Sequence, residues 1–196
     1  MNEKKELRRI AQERLAALTD IPQRSVLVRQ NLAPFLKTSA GLRIGLMIYV
    51  SFRNEVVIEI DAMLRQCRFL AVPLIQNGEI VPVRIESADD LTAGTFGILE
   101  PKMPPQPVPL ENIDVILVPG LAFDRYGKRL GRGKGFYDRF LKTLKPSTFK
   151  IAPAFECQMF DMVPTDANDV PLDAVVTERK AYFIDSTVPH RDNGRH

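Results

Sequence analysis

The stretch Ile113-Asp114-Val115-Ile116-Leu117-Val118, closed by Pro119-Gly120, decides how this chain folds. All but one of its six residues are apolar, so it reads as a buried strand that stops at the proline–glycine pair. A glycine-rich segment follows, and residues 136–144 then read as a helix. Working outward, residues 43–50 and 68–72 are strand-like runs, the second stopping at Pro73. Residues 80–85 form a further strand that Pro82 keeps near an edge. Residues 149–154, 174–177 and 182–184 supply more strands.

Helices fall between the strands. Leu7, Ile10, Leu15 and Leu18 recur at helical spacing, which predicts a helix over 2–18. Pro22 suits the first turn of a second helix that ends or kinks near Pro34, and Gly41 breaks the pattern. A third helix is expected over 56–65. Five prolines between 101 and 109 make that segment an extended connection. Alternating strands and helices predict an α/β fold: a layered single domain over 1–185, with a mostly parallel central sheet flanked by helices. Residues 186–196 are expected to be a loose polar tail.

At 196 residues and 45% hydrophobic, the chain suits one domain with a continuous core. Its apolar runs fall well short of the roughly 18–20 residues that cross a bilayer. The opening Met1-Asn2-Glu3-Lys4-Lys5-Glu6 lacks a signal peptide's apolar stretch, and Cys67 and Cys157 show no metal-type spacing. A cytoplasmic location is expected. Net charge is +3, yet residues 124–139 alone carry six basic and two acidic side chains. The remainder is therefore slightly acidic and lacks interleaved aromatic and basic residues, which argues against a nucleic-acid partner.

The basic segment is also the glycine-rich one. It runs Val118-Pro119-Gly120-Leu121-Ala122-Phe123-Asp124-Arg125-Tyr126-Gly127-Lys128-Arg129, then Leu130-Gly131-Arg132-Gly133-Lys134-Gly135-Phe136-Tyr137-Asp138-Arg139. Ligands gather at the carboxyl ends of strands in open α/β sheets, and this segment follows such an end. Glycines 131, 133 and 135 let backbone N–H groups approach an anion, and the next helix adds unpaired donors. Arg129, Arg132 and Lys134 bring positive charge. Gly133-Lys134 lacks the following Ser or Thr of a Walker loop, and the glycine spacing misses the dinucleotide pattern.

Pro119-Gly120-Leu121-Ala122-Phe123-Asp124, continued by the run from Arg129 to Asp138, resembles the signature of 5-formyltetrahydrofolate cyclo-ligases. Lys4-Lys5-Glu6-Leu7-Arg8 resembles that family's N-terminal basic helix, and Phe96-Gly97-Ile98-Leu99-Glu100-Pro101 its mid-chain motif. Asn168-Asp169-Val170-Pro171-Leu172-Asp173 with Val176-Thr177-Glu178 resembles its C-terminal one. Two departures stand out. Phe136 precedes Tyr137 where the family often has two tyrosines, and Val57 stands where an acidic residue commonly follows the glutamate matched by Glu55.

The resemblance implies 5-formyltetrahydrofolate and MgATP as the substrates; a monomer is expected, with no nucleic acid and no membrane as partner. ATP phosphorylates the formyl oxygen, the N10 amine attacks the activated carbon, and phosphate leaves as the ring closes. It implies Arg132 and Lys134 as catalytic. It implies ATP contacts from Lys4, Lys5, Arg8, Arg129, Leu130, Gly131, Arg132, Gly133, Lys134, Gly135, Phe136 and Tyr137. Folate contacts would come from Phe52, Glu55, Phe96, Arg132, Gly133, Lys134, Gly135 and Phe136. Asp138 and Asp169 would hold Mg2+.

On the residues alone, several of these positions have a plainer reading. Lys4, Lys5, Arg8 and Arg9 also fit a solvated helix face, Asp138 a carboxylate favouring a helix dipole, and Asp169 ordinary turn chemistry. Phe52 and Phe96 also fit a core, Glu55 a surface charge and Tyr137 helix packing. A sugar-phosphate isomerase or CoA-transferase relative would share the architecture, and dependence on ATP separates the two readings.

Overall fold

The computed structural model describes residues 3–36, 41, 43–94 and 97–184; the tail 186–196 lies outside the described residues. Two helices lead: α1 (Glu3–Ala16) and α2 (Ile21–Leu32). Glu3 and Glu6 sit in the first turn of α1, where carboxylates favour the dipole, and Ala11 and Leu15 are its buried face. Pro22 occupies the first turn of α2, and Ala33–Leu36 tightens into a 3-10 turn at Pro34. Then come β1 (Gly45–Met47), α3 (Ile60–Leu64), β2 (Phe69–Gln76) and β3 (Glu79–Ile85). Next are β4 (Leu91–Ala93), β5 (Leu99–Pro101), β6 (Val115–Leu117), β7 (Ala122–Phe123) and β8 (Arg129–Leu130). The chain continues through α4 (Phe136–Leu141), β9 (Phe149–Pro153), β10 (Ala174–Val176) and β11 (Ala181–Phe183).

Among the described residues the main sheet has seven strands in the order β11-β10-β9-β6-β1-β2-β3. Strands β10, β9, β6, β1 and β2 are parallel neighbours, and an antiparallel strand closes each edge. The opening hydrophobic stretch is thus the middle strand. Its pleat separates two cores: Val115 and Leu117 join Ala11, Leu15, Val28 and Leu32 of α1 and α2, while Ile116 and Val118 join Phe140 and Leu141 of α4. Helices therefore cover both faces, as a parallel sheet requires.

Two expectations need correction. Residues 56–59 are not helical, and α3 covers only Ile60–Leu64. Polar side chains capture the backbone there: Ser25 Oγ accepts from Val57 N–H, Ser51 Oγ accepts from Ile58 N–H, and the Ser51 and Tyr49 hydroxyls donate to Val56 C=O. Those bonds replace a helix ladder along a β-branched run. Strand β2 does not stop at Pro73 either. Pro73 faces Pro82 across the hairpin, a position where neither residue needs to donate. Pro82 keeps β3 at an edge as expected, and the proline-rich segment runs along it through Arg84 N–H to Gln106 C=O and Val108 N–H to Pro82 C=O.

The β7–β8 hairpin depends on Asp124, which is fully buried. Its carboxylate accepts backbone N–H bonds from Tyr126 at 2.9 Å, Lys128 at 3.0 Å and Val163 at 2.9 Å. The Asp124→Ala variant leaves these donors without a partner and should lower stability by about 3 kcal/mol, measured by urea unfolding.

Candidate active site

At the carboxyl end of β6 the chain turns through Pro119 and Gly120 into the β7–β8 hairpin. Arg129 on β8 is almost wholly buried, 5% exposed. A buried guanidinium needs partners, and it donates to Pro119 C=O at 3.2 Å and is ion-paired with Asp138 on α4. A Cβ on Gly120 would sit 3.0 Å from Arg129 Cγ, and one on Gly131 would sit 3.0 Å from its guanidinium. Gly131 clears room for Arg129, and Gly120 clears it first for the Phe123 ring, 2.6 Å from that Cβ position, and then for Arg129. Gly133 and Gly135 act differently: both have positive φ, 102° and 67°, which side chains rarely adopt.

The glycine loop walls a cavity of about 440 Å³. Of the positions expected to contact ATP, Lys4, Arg8, Arg129, Leu130, Gly131, Gly133 and Gly135 line it, together with Asp138 and Asp169. Helix α1 brings its two cations across the fold. Arg8 donates to Gly131 C=O at 3.0 Å, and Lys4 pairs at 2.8 Å with both Asp166 and Asp169. Burial lowers the pKa of Lys4, but its bonds to Asp166 and Asp169 outweigh that and raise it overall; Lys4 in turn holds the Asp166 carboxyl below its usual range.

Arg139, Lys142, Asp166 and Asn168 also line the cavity and were not among the expected site residues. Arg139 belongs to the quoted basic segment and Asn168 to the quoted C-terminal motif, so the signal was present. Asp166 and Lys142 carried none. Lys5, Arg132, Lys134, Phe136 and Tyr137 do not line the cavity. Lys5 is exposed on α1.

Arg132 turns away from the cavity and pairs with Glu55 at 2.8 Å, and the other oxygen of Glu55 accepts Phe52 N–H at 3.1 Å. The glycine loop thus meets the 52–55 turn that the family resemblance assigns to the pterin. Tyr137 lies beneath this meeting point. Its hydroxyl is buried without a hydrogen-bond partner among the described residues. Burial first, and then the charge of Glu55, keep the phenol protonated, against a smaller opposing effect of Arg129. Lys134 is exposed, with its ammonium 5.9 Å from the Phe136 ring centre. Phe96 lies outside the described residues. Val57 is part-exposed and spends its backbone on Ser25 and Arg29, while Glu59 pairs with Arg29.

Among the described residues no group of three or more His, Cys, Asp or Glu side chains is gathered to hold a metal unaided. Asp138 and Asp169 both line the cavity, each already paired with a cation, Arg129 and Lys4; one or two carboxylates are what a magnesium ion takes when phosphate and water supply its other ligands.

The model of the 5-formyltetrahydrofolate cyclo-ligase family matches residues 1–178. The 5-formyltetrahydrofolate cyclo-ligase of Escherichia coli (strain K12) is 32% identical over 142 residues, covering 69% of this chain and 78% of that protein. The Mus musculus enzyme of the same name is 31% identical over 193 residues, covering 89% and 93%. The NMR structure of Aquifex aeolicus 5,10-methenyltetrahydrofolate synthetase superposes with a TM-score of 0.77 at 32% identity, covering 97% of this chain and 99% of that one.

The tether of α1 to the 166–169 turn has a pH window. Asp166, with its pKa depressed, stabilises the folded tether above its unfolded pKa and loses this as pH falls through the folded value. Lys4, with its pKa raised, stabilises it below its unfolded pKa and loses this as pH rises through the folded value. The NMR shifts of Asp166 should therefore stay flat between about pH 5 and pH 9.5. In Lys4→Met the Asp166 titration should move up toward the ordinary carboxylate range.

Proposed function

This chain belongs to the 5-formyltetrahydrofolate cyclo-ligase family, and from that premise we propose that it catalyses the ATP-dependent closure of 5-formyltetrahydrofolate to 5,10-methenyltetrahydrofolate. The formyl oxygen takes the γ-phosphoryl group and ADP departs. N10 then bonds to the activated carbon, the carbon–oxygen bond breaks, and phosphate leaves as N10 loses its proton.

The observation that carries the residue assignments is the junction at Arg132. The cavity on one side is lined by Lys4, Arg8 and Arg129, groups suited to a triphosphate. On the other side Arg132 reaches Glu55, a carboxylate able to pair with the amino and ring N–H groups of a pterin. The loop between them, 131–135, is where a phosphoryl group passing from nucleotide to folate has to be held. Arg132 and Lys134 neutralise charge on that group, and Phe52 and Phe136 offer aromatic faces to the folate. Asp138 and Asp169 would hold Mg2+, whose charge when bound helps neutralise the triphosphate.

The enzyme works as a monomer in the cytoplasm on this reading, with neither nucleic acid nor membrane as partner. Cys67 and Cys157 are both free, and among the described residues no helix is long and apolar enough to cross a membrane.

Absorbance at the methenyl-folate band after mixing the protein with 5-formyltetrahydrofolate and MgATP tests the reaction. The rise should require both ATP and magnesium, and Lys134→Ala should lower kcat by about 10²–10³-fold. A chain that binds MgATP yet gives no rise would overturn the folate assignment. In Glu55→Gln the KM for the folate should rise about tenfold, with the KM for ATP almost unchanged.

A further inference from the structure

Arg139 is the cavity-wall cation whose other contacts lie behind the loop. Its guanidinium donates to Lys134 C=O at 3.3 Å and to Gly78 C=O at 3.0 Å. It lies over the Phe136 ring at 5.4 Å from the centre, and the Lys134 ammonium is 5.9 Å from the same centre. A Cβ on Gly135 would come within 3.2 Å of it. One planar fork therefore touches the carbonyl of Lys134, the space left open at Gly135 and the face of Phe136.

Its far anchor is firm. Gly78 is in the two-residue turn of the β2–β3 hairpin, where Asn77 and Gly78 have φ of 54° and 80°, the pattern of a tight Asn-Gly turn that matches strand twist. The two strands pair over seven residue positions, from Leu70↔Ile85 to Gln76↔Glu79.

We propose that Arg139 is a positioning residue for Lys134, clamping the backbone of the glycine-rich loop to the β2–β3 turn so that the Lys134 ammonium is aimed at the phosphate. The role follows from geometry that lysine cannot copy. Two carbonyls and a ring face are met by one rigid group, whereas an ammonium is a single point of charge. The inference rests on the cavity being the nucleotide site.

The test uses the full chain with Arg139→Ala and Arg139→Lys. The KM for ATP and folate, kcat, and binding of MgATP with a non-hydrolysable γ-phosphate analogue by calorimetry are measured, alongside thermal melting. Arg139→Ala should weaken analogue binding, raise the ATP KM and lower kcat, each about tenfold, with folate KM within about twofold and melting unchanged, as suits an exposed side chain. Arg139→Lys should recover less than half of that loss on a logarithmic scale. Full recovery in Arg139→Lys would mean that charge alone matters and would overturn the clamp. So would wild-type kinetics in Arg139→Ala, or a loss that falls equally on folate KM and on melting. If Arg139→Ala does not fold, Arg139→Lys carries the comparison. A wild-type chain that neither turns over nor binds the analogue would instead overturn the nucleotide reading itself.

Discussion

The buried guanidinium of Arg129 is the constraint around which the site is built. A charge taken out of water must be paired, and the pairing here draws on three elements. Pro119 C=O comes from the end of the central strand, Asp138 from α4, and the side chain itself from β8. Gly131 keeps the space around its guanidinium clear, and Gly120 admits both its stem and the Phe123 ring. Once Arg129 is seated, the hairpin cannot swing away from the sheet. The residues between β8 and α4 must then close a short gap, and they do so with positive φ at Gly133 and Gly135. The glycine pattern is thus partly packing and partly backbone conformation.

Much of the architecture was legible because it is written in short-range pattern. The strand at the centre of the sheet announces itself by apolar continuity, the two leading helices by periodicity and by Pro22, and the edge position of β3 by Pro82. The failures came where a local pattern competes with a distant partner. Val56, Val57 and Ile58 fell within an expected helix, but hydroxyls from residues 25, 49 and 51 claim their backbone groups. Pro73 looks like a strand terminator until it is found opposite Pro82. The hairpins β4–β5 and β7–β8 are two or three residues per strand and leave too little periodicity to read.

The site divides in the same way. The loop from 129 to 138 was legible because one contiguous stretch carries its glycines and cations together. Lys4 and Asp169, 165 positions apart, were singled out only through family resemblance, one for ATP and the other for Mg2+, and their pairing was not legible; nothing at Asp166 or Lys142 distinguished them from solvated surface charges. Arg132 shows the limit from the other side. Both a phosphate and a folate contact are expected of it from the sequence, and in the structure it pairs with Glu55, 77 positions away, a partner no local pattern announces.

On the nucleotide reading, that pairing explains how acidic residues can serve an anion site. Lys4, Arg8, Arg129, Arg139 and Lys142 converge on one cavity with three aspartates, which leaves a surplus of two positive charges to attract a polyanion. The aspartates and Glu55 relieve repulsion that would otherwise oppose folding. The pairs are unequal, however. Arg129–Asp138 joins side chains 4% and 21% exposed, whereas Arg132 in Arg132–Glu55 is 45% exposed and Asp166 in Lys4–Asp166 is 59% exposed. Solvated ion pairs contribute little net stability, so exchanging a carboxylate for a phosphate costs Arg132 little, whereas Lys4 is held more firmly by its second partner, Asp169, the two side chains being 21% and 17% exposed. Breaking the buried pair would strand a charge and cost several times more, roughly 3–5 kcal/mol. On the nucleotide reading, Arg129 is therefore the fixed floor of the site, and Arg132 is the group able to turn toward the phosphates.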